Sequence, residues 1–157
     1  MRAIKFRGKI LSPEEKESKW IVGDLVELFE DGTFGIRYWD EDHKFKQYEV
    51  WTDTIGQFTG LIDKFGRRIY EGDIIVQHGD GMPDIRGEVV YDEMSARFGM
   101  SYKSYWESGC VTHFETLERV KCYSDKNREM TYEVIGNVHD HYDLMLEKDI
   151  NVFKCET

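Results

Sequence analysis

Turn-forming residues interrupt this chain about every 8–12 residues, and that spacing leaves room only for short secondary-structure elements. The runs between the turns are rich in strand-forming residues, as in 20–29 and 34–39. The pair Asp31-Gly32 lies between these two runs and predicts a hairpin, because a type I′ turn requires positive φ at both central residues. The pattern therefore predicts an all-β fold, a barrel or a sandwich, with few short helical turns.

The last third of the chain is less regular. Phe114, Leu117 and Val120 recur at three-residue spacing, which predicts either a short helix or an irregular strand pair over 111–120. A further strand is predicted over 132–138, and a terminal helical turn over 139–146. We expect the tail from residue 149 onward to be loosely held.

The charge balance narrows the classes of partner and compartment. The chain has 31 acidic and 21 basic residues, a formal net charge of -10, which disfavours non-specific nucleic-acid binding because such a body repels phosphate. No apolar run approaches the roughly 20 residues that a membrane helix needs. Charged residues stand near the start, where a signal peptide would need an apolar segment, so we expect a cytoplasmic protein.

The segment 53–73 is punctuated by glycine, which makes long regular elements improbable there. Asp63 to Gly66 predicts a tight turn in which Gly66 has positive φ. From residue 56 to residue 74 the sequence reads Gly-Gln-Phe-Thr-Gly-Leu-Ile-Asp-Lys-Phe-Gly-Arg-Arg-Ile-Tyr-Glu-Gly-Asp-Ile. We call this segment the glycine-rich block.

The glycine-rich block resembles the hallmark of the YopX family, with Phe58 where that pattern has Tyr as the one departure. The segments 4–8 and 20–25 resemble the opening of that family, and 133–137, Glu-Val-Ile-Gly-Asn, is similar to its closing motif. The resemblance implies a protein of bacteriophages and prophages of low-GC Gram-positive bacteria. It also implies a predominantly β fold whose second part is similar to an SH3-like barrel, and it implies no established activity.

Together these observations predict an N-terminal β hairpin or meander unit over 1–52. A YopX-like region with a small SH3-like β barrel, which includes the glycine-rich block, is predicted over 53–148. A tail follows over 149–157. Because edge strands of small open barrels invite pairing between copies, a homo-oligomer stays open.

The residues of the family-like motifs have two interpretations, a structural clasp or a ligand-binding surface. As a clasp, Asp63 and Asp73 cap turns and Tyr70 packs, which is what turns require of these residue types. As a binding surface, the polar side chains are presented by a glycine-rich loop. The residues concerned are Gly56, Gln57, Thr59, Gly60, Asp63, Gly66, Tyr70, Glu71, Gly72, Asp73, Gly136 and Asn137.

Three further groups are candidate sites. On a strand His139 and His141 would share a face, and with Asp143 they could hold a transition metal; a solvated strand end is the alternative. The aromatic residues either build the core or include a recognition surface, with Tyr105 and Trp106 as the most exposed pair. The basic residues of a nucleic-acid patch would be Lys64, Arg67, Arg68 and Arg86.

The sequence contains no nucleophile elbow and no Walker loop, and it predicts no cofactor. These absences, together with the resemblance to the YopX family, lead us to expect a non-enzymatic phage or prophage accessory protein that acts through contacts with a host or phage protein in the host cytoplasm. One alternative is a small barrel that binds nucleic acid, or an acidic decoy of a host DNA-binding protein. Another is a metal-dependent enzyme centred on His139 and His141.

Overall fold

The computed structural model describes residues 3–11, 19–29, 32–79, 82–106, 109–117 and 131–146, with the side chains of 82, 106 and 109 outside the description. The chain divides into two compact units, Met1–Gly60 and Leu61–Thr157. The predicted limits 1–52 and 53–148 stay predictions, and the tail lies outside the described residues. No helix in the described part of the chain is both long enough and apolar enough to span a bilayer.

The first unit is built on antiparallel strands that are neighbours in the order β4-β3-β2-β1-β5. A short 3-10 helix, Thr52–Thr54, precedes the last of them. The strands are β1 (Phe6–Lys9), β2 (Trp20–Glu27), β3 (Phe34–Trp39), β4 (Phe45–Glu49) and β5 (Gly56–Ile62).

The predicted hairpin at Asp31-Gly32 is confirmed as the antiparallel pair β2–β3. Its loop is longer than a two-residue turn, because the amide of Leu28 donates to the carbonyl of Thr33. Gly32 has the positive φ that the sequence predicts, 87°. Asp31 lies outside the described residues.

One face of the first sheet carries a buried apolar cluster and the other faces solvent. Ile21, Ile36 and Val50 are buried together, with Leu25 and Phe6 packed against them. In β2 the buried Ile21 and Gly23 alternate with the exposed Val22 and Asp24, as expected where one face of a sheet is covered and the other faces solvent.

The second unit contains a five-stranded antiparallel sheet in the order β10-β9-β8-β7-β11. β5 continues into this unit and is hydrogen-bonded to β6. The elements are β6 (Arg68–Tyr70), β7 (Asp73–Gly79), β8 (Met82–Asp92), β9 (Arg97–Trp106), β10 (Gly109–Thr116), β11 (Thr131–Asn137) and α1 (Asp143–Leu146).

The all-β prediction is confirmed, but the described strands of the second unit form an open sheet instead of a closed SH3-like barrel. A barrel closes only when its first and last strands are hydrogen-bonded to each other. In the described part of the chain, β10 and β11 are the two edges of the sheet, and no ladder joins them.

The segment 111–120 forms a strand over its described part, so the helical alternative for it was wrong. β10 pairs with β9 over its whole length, from Gly109 opposite Trp106 to Thr116 opposite Gly99. This pairing satisfies the backbone groups of β10 and outweighs the three-residue spacing of its apolar side chains. Val120 lies outside the described residues. The predicted terminal helical turn is confirmed as α1.

The core of the second unit lies on one side of its sheet. Ile69, Ile75, Val89, Met100 and Tyr132 are buried in one cluster, with apolar side chains of neighbouring strands packed against it. A few polar side chains are buried in this unit as well, and two of them, Asp63 and Asp73, belong to the glycine-rich block.

Candidate functional site

The first feature of the glycine-rich block is a hairpin turn, Asp63–Arg67, closed around a buried carboxylate. The side chain of Asp63 is 0% exposed. Oδ1 accepts hydrogen bonds from the amides of Phe65 and Arg67, each at 2.9 Å. Oδ2 accepts from Nε of Arg67 at 2.7 Å and from the amide of Val134, in β11, at 3.2 Å. One carboxylate therefore shapes the turn and ties it to a strand far along the chain.

Backbone hydrogen bonds close the same turn. The Asp63 amide donates to the Arg67 carbonyl at 2.8 Å, and the Gly66 amide donates to the Asp63 carbonyl at 3.0 Å. Gly66 has φ 81°, so the predicted tight turn with Gly66 at positive φ is confirmed. The Lys64 amide donates to the Tyr132 carbonyl at 2.9 Å, which adds a second link to β11.

The electrostatics of Asp63 favour its charged form. Burial raises the pKa of this carboxyl, but the amides of Arg67, Val134 and Phe65 and the Arg67 guanidinium outweigh burial and hold the pKa below the usual 3.8. Hydrogen bonds to the ionised form thus decide the direction of the shift.

A second junction joins the glycine-rich block to the closing motif. Asp73 is buried, and its Oδ2 accepts from the Tyr70 amide at 2.8 Å. Asp73 in β7 lies opposite Asn137 in β11. The Gly72 carbonyl accepts from the Val138 amide at 2.9 Å, and the Gly72 amide donates to the Val89 carbonyl at 2.8 Å. Two motifs that are distant in sequence therefore meet at one end of β7 and β11.

Asn137 organises the turn that follows β11. Its Oδ1 accepts from the amides of His139 and Asp140, each at 3.0 Å, and its Nδ2 donates to Asp140. A Cβ atom at Gly136 would lie 3.0 Å from the side chains of His141 and Leu144, so this glycine allows the C-terminal turn to pack closely on β11.

The remaining motif residues lie on β5 or beside β7. Gly56 and Gln57 pair with β1, Gly60 has φ 90°, and Thr59 is buried. Burial and the nearby charge of Glu71, beside β7, raise the pKa of Glu88.

A family model described as "YopX protein" matches residues 6–146, nearly the whole chain. The chain belongs to the YopX family. No curated protein matches it. Among solved structures, the crystal structure of protein EF1440 from Enterococcus faecalis is similar, with 24% sequence identity over 92% of this chain and 99% of that chain and a TM-score of 0.44.

Beside the hairpin of this YopX-family protein lies a charged cluster that the sequence analysis missed. Nζ of Lys64 is 2.5 Å from Oε2 of Glu133. His78 is within ion-pair distance of two carboxylates, with Nδ1 2.9 Å from Asp84 and Nε2 3.3 Å from Glu133. The members come from the hairpin, β7, β8 and β11, so no local spacing could reveal the cluster. Lys64 and, less strongly, His78 hold the pKa of Glu133 below 4.5.

The predicted basic patch does not present freely available charges. Lys64 is paired with Glu133 and Arg67 with Asp63. Nη1 of Arg86 donates to the carbonyl of Leu144 at 2.6 Å. Arg68 is exposed at the start of β6, and it is not without an interaction partner. The carboxylates of Glu133 and Asp63 offset the charges of Lys64 and Arg67, which the patch would need for phosphate.

The premise of the predicted metal site does not hold, because β11 ends at Asn137. His139 and His141 lie in the turn after it, where strand alternation does not place them on one face. Within the described ranges no three His, Cys, Asp or Glu side chains are positioned to hold a metal ion. Asp143 begins α1.

The predicted aromatic pair lies at the end of β9. Tyr105 is partly buried, and the side chain of Trp106 lies outside the description. Other aromatic rings are more exposed than Tyr105. Trp39 and Phe45, opposite each other in β3 and β4, are 70% and 52% exposed, and Phe65 at the tip of the Asp63 hairpin is 65% exposed.

Neighbouring strands also bring together a serine and a histidine that the sequence does not connect. Oγ of Ser104 lies 2.6 Å from Nε2 of His113, and the His113 ring stacks on Tyr102 at 4.9 Å. Ser104 is only 1% exposed, which keeps its hydroxyl away from a substrate in solution. Burial and the neighbouring carboxylate of Glu115 raise the pKa of Tyr102 to about 12, so its hydroxyl stays protonated and donates to Glu115.

We expect Glu88→Gln to stabilise the protein at neutral pH by about 0.5 kcal/mol. Burial and the nearby charge of Glu71 raise the pKa of Glu88 above 4.5, so the charged form is disfavoured in the folded state. The gain should disappear as pH falls through that raised pKa, where the wild-type carboxyl is protonated. Urea unfolding at several pH values measures it, with the exposed Glu93→Gln as the control; a loss of stability at neutral pH would contradict the prediction.

Proposed function

We propose that this YopX-family protein is a non-enzymatic accessory protein of a phage or prophage that binds another protein in the host cytoplasm. Its contact surface is the tip of the Asp63–Arg67 hairpin. The observation that carries the proposal is Phe65, whose ring is 65% exposed on a turn that a buried carboxylate holds in place.

The tip has the composition of a protein-binding hot spot. The guanidinium of Arg67 lies 5.2 Å, and the ammonium of Lys64 5.1 Å, from the centre of the Phe65 ring. Ile62, at the end of β5, is also well exposed. Aromatic and arginine side chains carry a large share of the binding energy at protein interfaces.

The hairpin is also preorganised. Asp63 fixes the turn, and the Lys64 amide and the Lys64–Glu133 ion pair connect it to β11. A rigid loop loses little conformational entropy when it binds, so its exposed side chains contribute more of their contact energy to affinity. In this proposal the glycine-rich block is a structural clasp, and the clasp serves to present Phe65.

The ion pairs favour a protein partner over nucleic acid at this tip. Asp63 and Glu133 offset the charges of Arg67 and Lys64, which leaves little net positive charge for phosphate. The same pairing keeps the two cations beside the ring, where they flank an apolar contact.

We expect Phe65→Ala to weaken partner binding strongly without unfolding the protein. The tagged wild-type chain and the variant would be used for affinity capture from a lysogenic host, followed by titration of any retained protein in purified form. Loss of a hot-spot aromatic should weaken binding at least about 30-fold. Met94→Ala is the matched control, since Met94 is an exposed apolar side chain at the tip of the β8–β9 hairpin.

The result that contradicts the proposal is a partner bound with equal affinity by the wild type and by Phe65→Ala. Thermal unfolding of both proteins is needed beside the titration. If Phe65→Ala binds poorly and is also unfolded at the assay temperature, Phe65→Ser is tested in its place. Serine also removes the ring, and its hydroxyl suits this exposed position.

A further inference from the structure

The imidazole of His78, near the end of β7, has a charged neighbour at each of its ring nitrogens. Nδ1 lies 2.9 Å from Oδ1 of Asp84, in β8. Nε2 lies 3.3 Å from Oε2 of Glu133, in β11, and also 3.3 Å from Nζ of Lys64, in the hairpin turn. Three elements besides β7 therefore meet at this one ring.

The neutral ring satisfies these contacts in one tautomer. An ionised carboxylate only accepts hydrogen bonds, so Asp84 selects the tautomer in which Nδ1 carries the hydrogen. Nε2 then has a lone pair that accepts from the Lys64 ammonium. Nζ of Lys64 is also 2.5 Å from Oε2 of Glu133. In this state the ammonium has two acceptors, an imidazole and a carboxylate.

Protonation of the ring reverses the contact at Nε2. Both nitrogens of an imidazolium are donors, so Nε2 no longer accepts from Lys64, and two positive charges at 3.3 Å repel each other. Nε2 then donates to Glu133, at the same oxygen that Lys64 uses. The imidazolium therefore competes with the ammonium for one carboxylate oxygen, while Nδ1 donates to Asp84 in both states.

The charged surroundings of His78 change little over the range in which an imidazole ordinarily titrates, about pH 5 to 8. Lys64 and, less strongly, His78 hold the pKa of Glu133 below 4.5, so this carboxylate stays largely ionised down to pH 5. The next cations along the described parts of the same elements are Arg67 and Arg86. Arg67 is paired with a carboxylate of the hairpin, and Arg86 donates to a backbone carbonyl of α1.

We propose that His78 is a pH-sensitive switch that holds the Lys64 ammonium when the ring is neutral and releases it when the ring is protonated. The side chains of His78 and Lys64 are 30% and 32% exposed, so protons reach the ring from solvent. The Lys64 amide is bonded to the Tyr132 carbonyl at 2.9 Å, so the switch acts on the lysine side chain while the backbone of the hairpin stays attached to β11.

The switch lies beside the Phe65 ring, whose centre is 5.1 Å from Nζ of Lys64. Release of the ammonium removes one of the two cations that flank the ring. This consequence rests on the function proposed above. A partner bound through Phe65 should bind about threefold more tightly at pH 8 than at pH 5, and His78→Ala should remove this pH dependence.

The test of the switch itself is a double-mutant cycle on the full chain, with Lys64→Met and His78→Ala, followed by urea unfolding at pH 8 and at pH 5. At pH 8 the two wild-type side chains should stabilise each other and raise the folding equilibrium constant about threefold or more. At pH 5 their coupling should be absent or unfavourable, because both side chains are then cations. If His78→Ala is unfolded at pH 5, His78→Thr takes its place in the cycle.

The control cycle combines Lys64→Met with Glu133→Ala. Because Glu133 is ionised at both pH values, this coupling should be favourable at both. A favourable coupling of Lys64 with His78 at pH 5, as strong as at pH 8, would overturn the proposal. So would a coupling of Lys64 with Glu133 that disappears at pH 5 to the same degree.

The two readouts separate the switch from the proposed function. The cycle uses the chain without a partner, so its result stands even if Phe65 binds no protein. A partner that binds through Phe65 with equal affinity at both pH values would overturn the effect of the switch on the hairpin tip.

Discussion

Asp63→Asn should reduce the free energy of unfolding by about 3 kcal/mol at neutral pH. The carboxylate is fully buried and accepts hydrogen bonds from three amides and one guanidinium. Asparagine keeps one oxygen acceptor and places an NH₂ group against donors that then have no acceptor. Leaving a buried donor unsatisfied costs about 1–3 kcal/mol, and more where one partner is charged. Urea unfolding followed by circular dichroism measures the loss.

The matched control for this prediction is Asp92→Asn. Asp92 also caps a hairpin turn, because its Oδ1 accepts from the Met94 amide at 3.2 Å and its side chain contacts Ser95. This turn is exposed, and these bonds of Asp92 stay within it, so water replaces what the substitution removes. A loss for Asp63→Asn no larger than that for Asp92→Asn would contradict the argument that burial and the link to Val134 make Asp63 important.

The local chemistry of the glycine-rich block was accessible from the sequence. Gly66 has the positive φ, and Asp63 accepts the turn-capping hydrogen bond, that their residue types and spacing predict. The long-range bond from Asp63 to Val134 was not accessible, because 71 positions separate the two residues and no local pattern specifies their approach. The same reason hides the cluster around His78, whose members come from four separate elements.

The ring pair Trp39 and Phe45 in the first sheet shows a second limit of sequence reasoning. The alternation in 34–39 places Arg37 and Trp39 on one side of a strand. Their partners in β4 depend on the register, which the turn between the strands fixes through the bond from the Asp40 amide to the Lys44 carbonyl. The sequence marks a charged turn at 40–44 without specifying this register, so the meeting of Trp39 with Phe45 emerges only from the structure.

The barrel expectation failed for a similar reason. Strand number and turn spacing describe a barrel and an open sheet equally well, since both consist of short antiparallel strands. What separates them is whether the two edge strands meet, here β10 and β11, and that depends on twist and stagger accumulated over the whole sheet.

The contribution of Asp63 should also depend on pH, and Asp63→Asn reveals how. The pKa of Asp63 lies below 3.8 in the folded protein, so the unfolded chain takes up a proton at higher pH than the folded chain does. The stabilisation is therefore fully present above the unfolded pKa and is lost as pH falls through the folded pKa.

We expect the difference in unfolding free energy between the wild type and Asp63→Asn to be constant from neutral pH to about pH 5. It should narrow steadily below pH 3.8, because protonation removes the charge that the amides and Arg67 stabilise. Urea unfolding of both proteins across this range measures the difference, and a gap that stays constant down to the lowest pH at which the wild type is folded would contradict ionisation of Asp63 as the source of its effect.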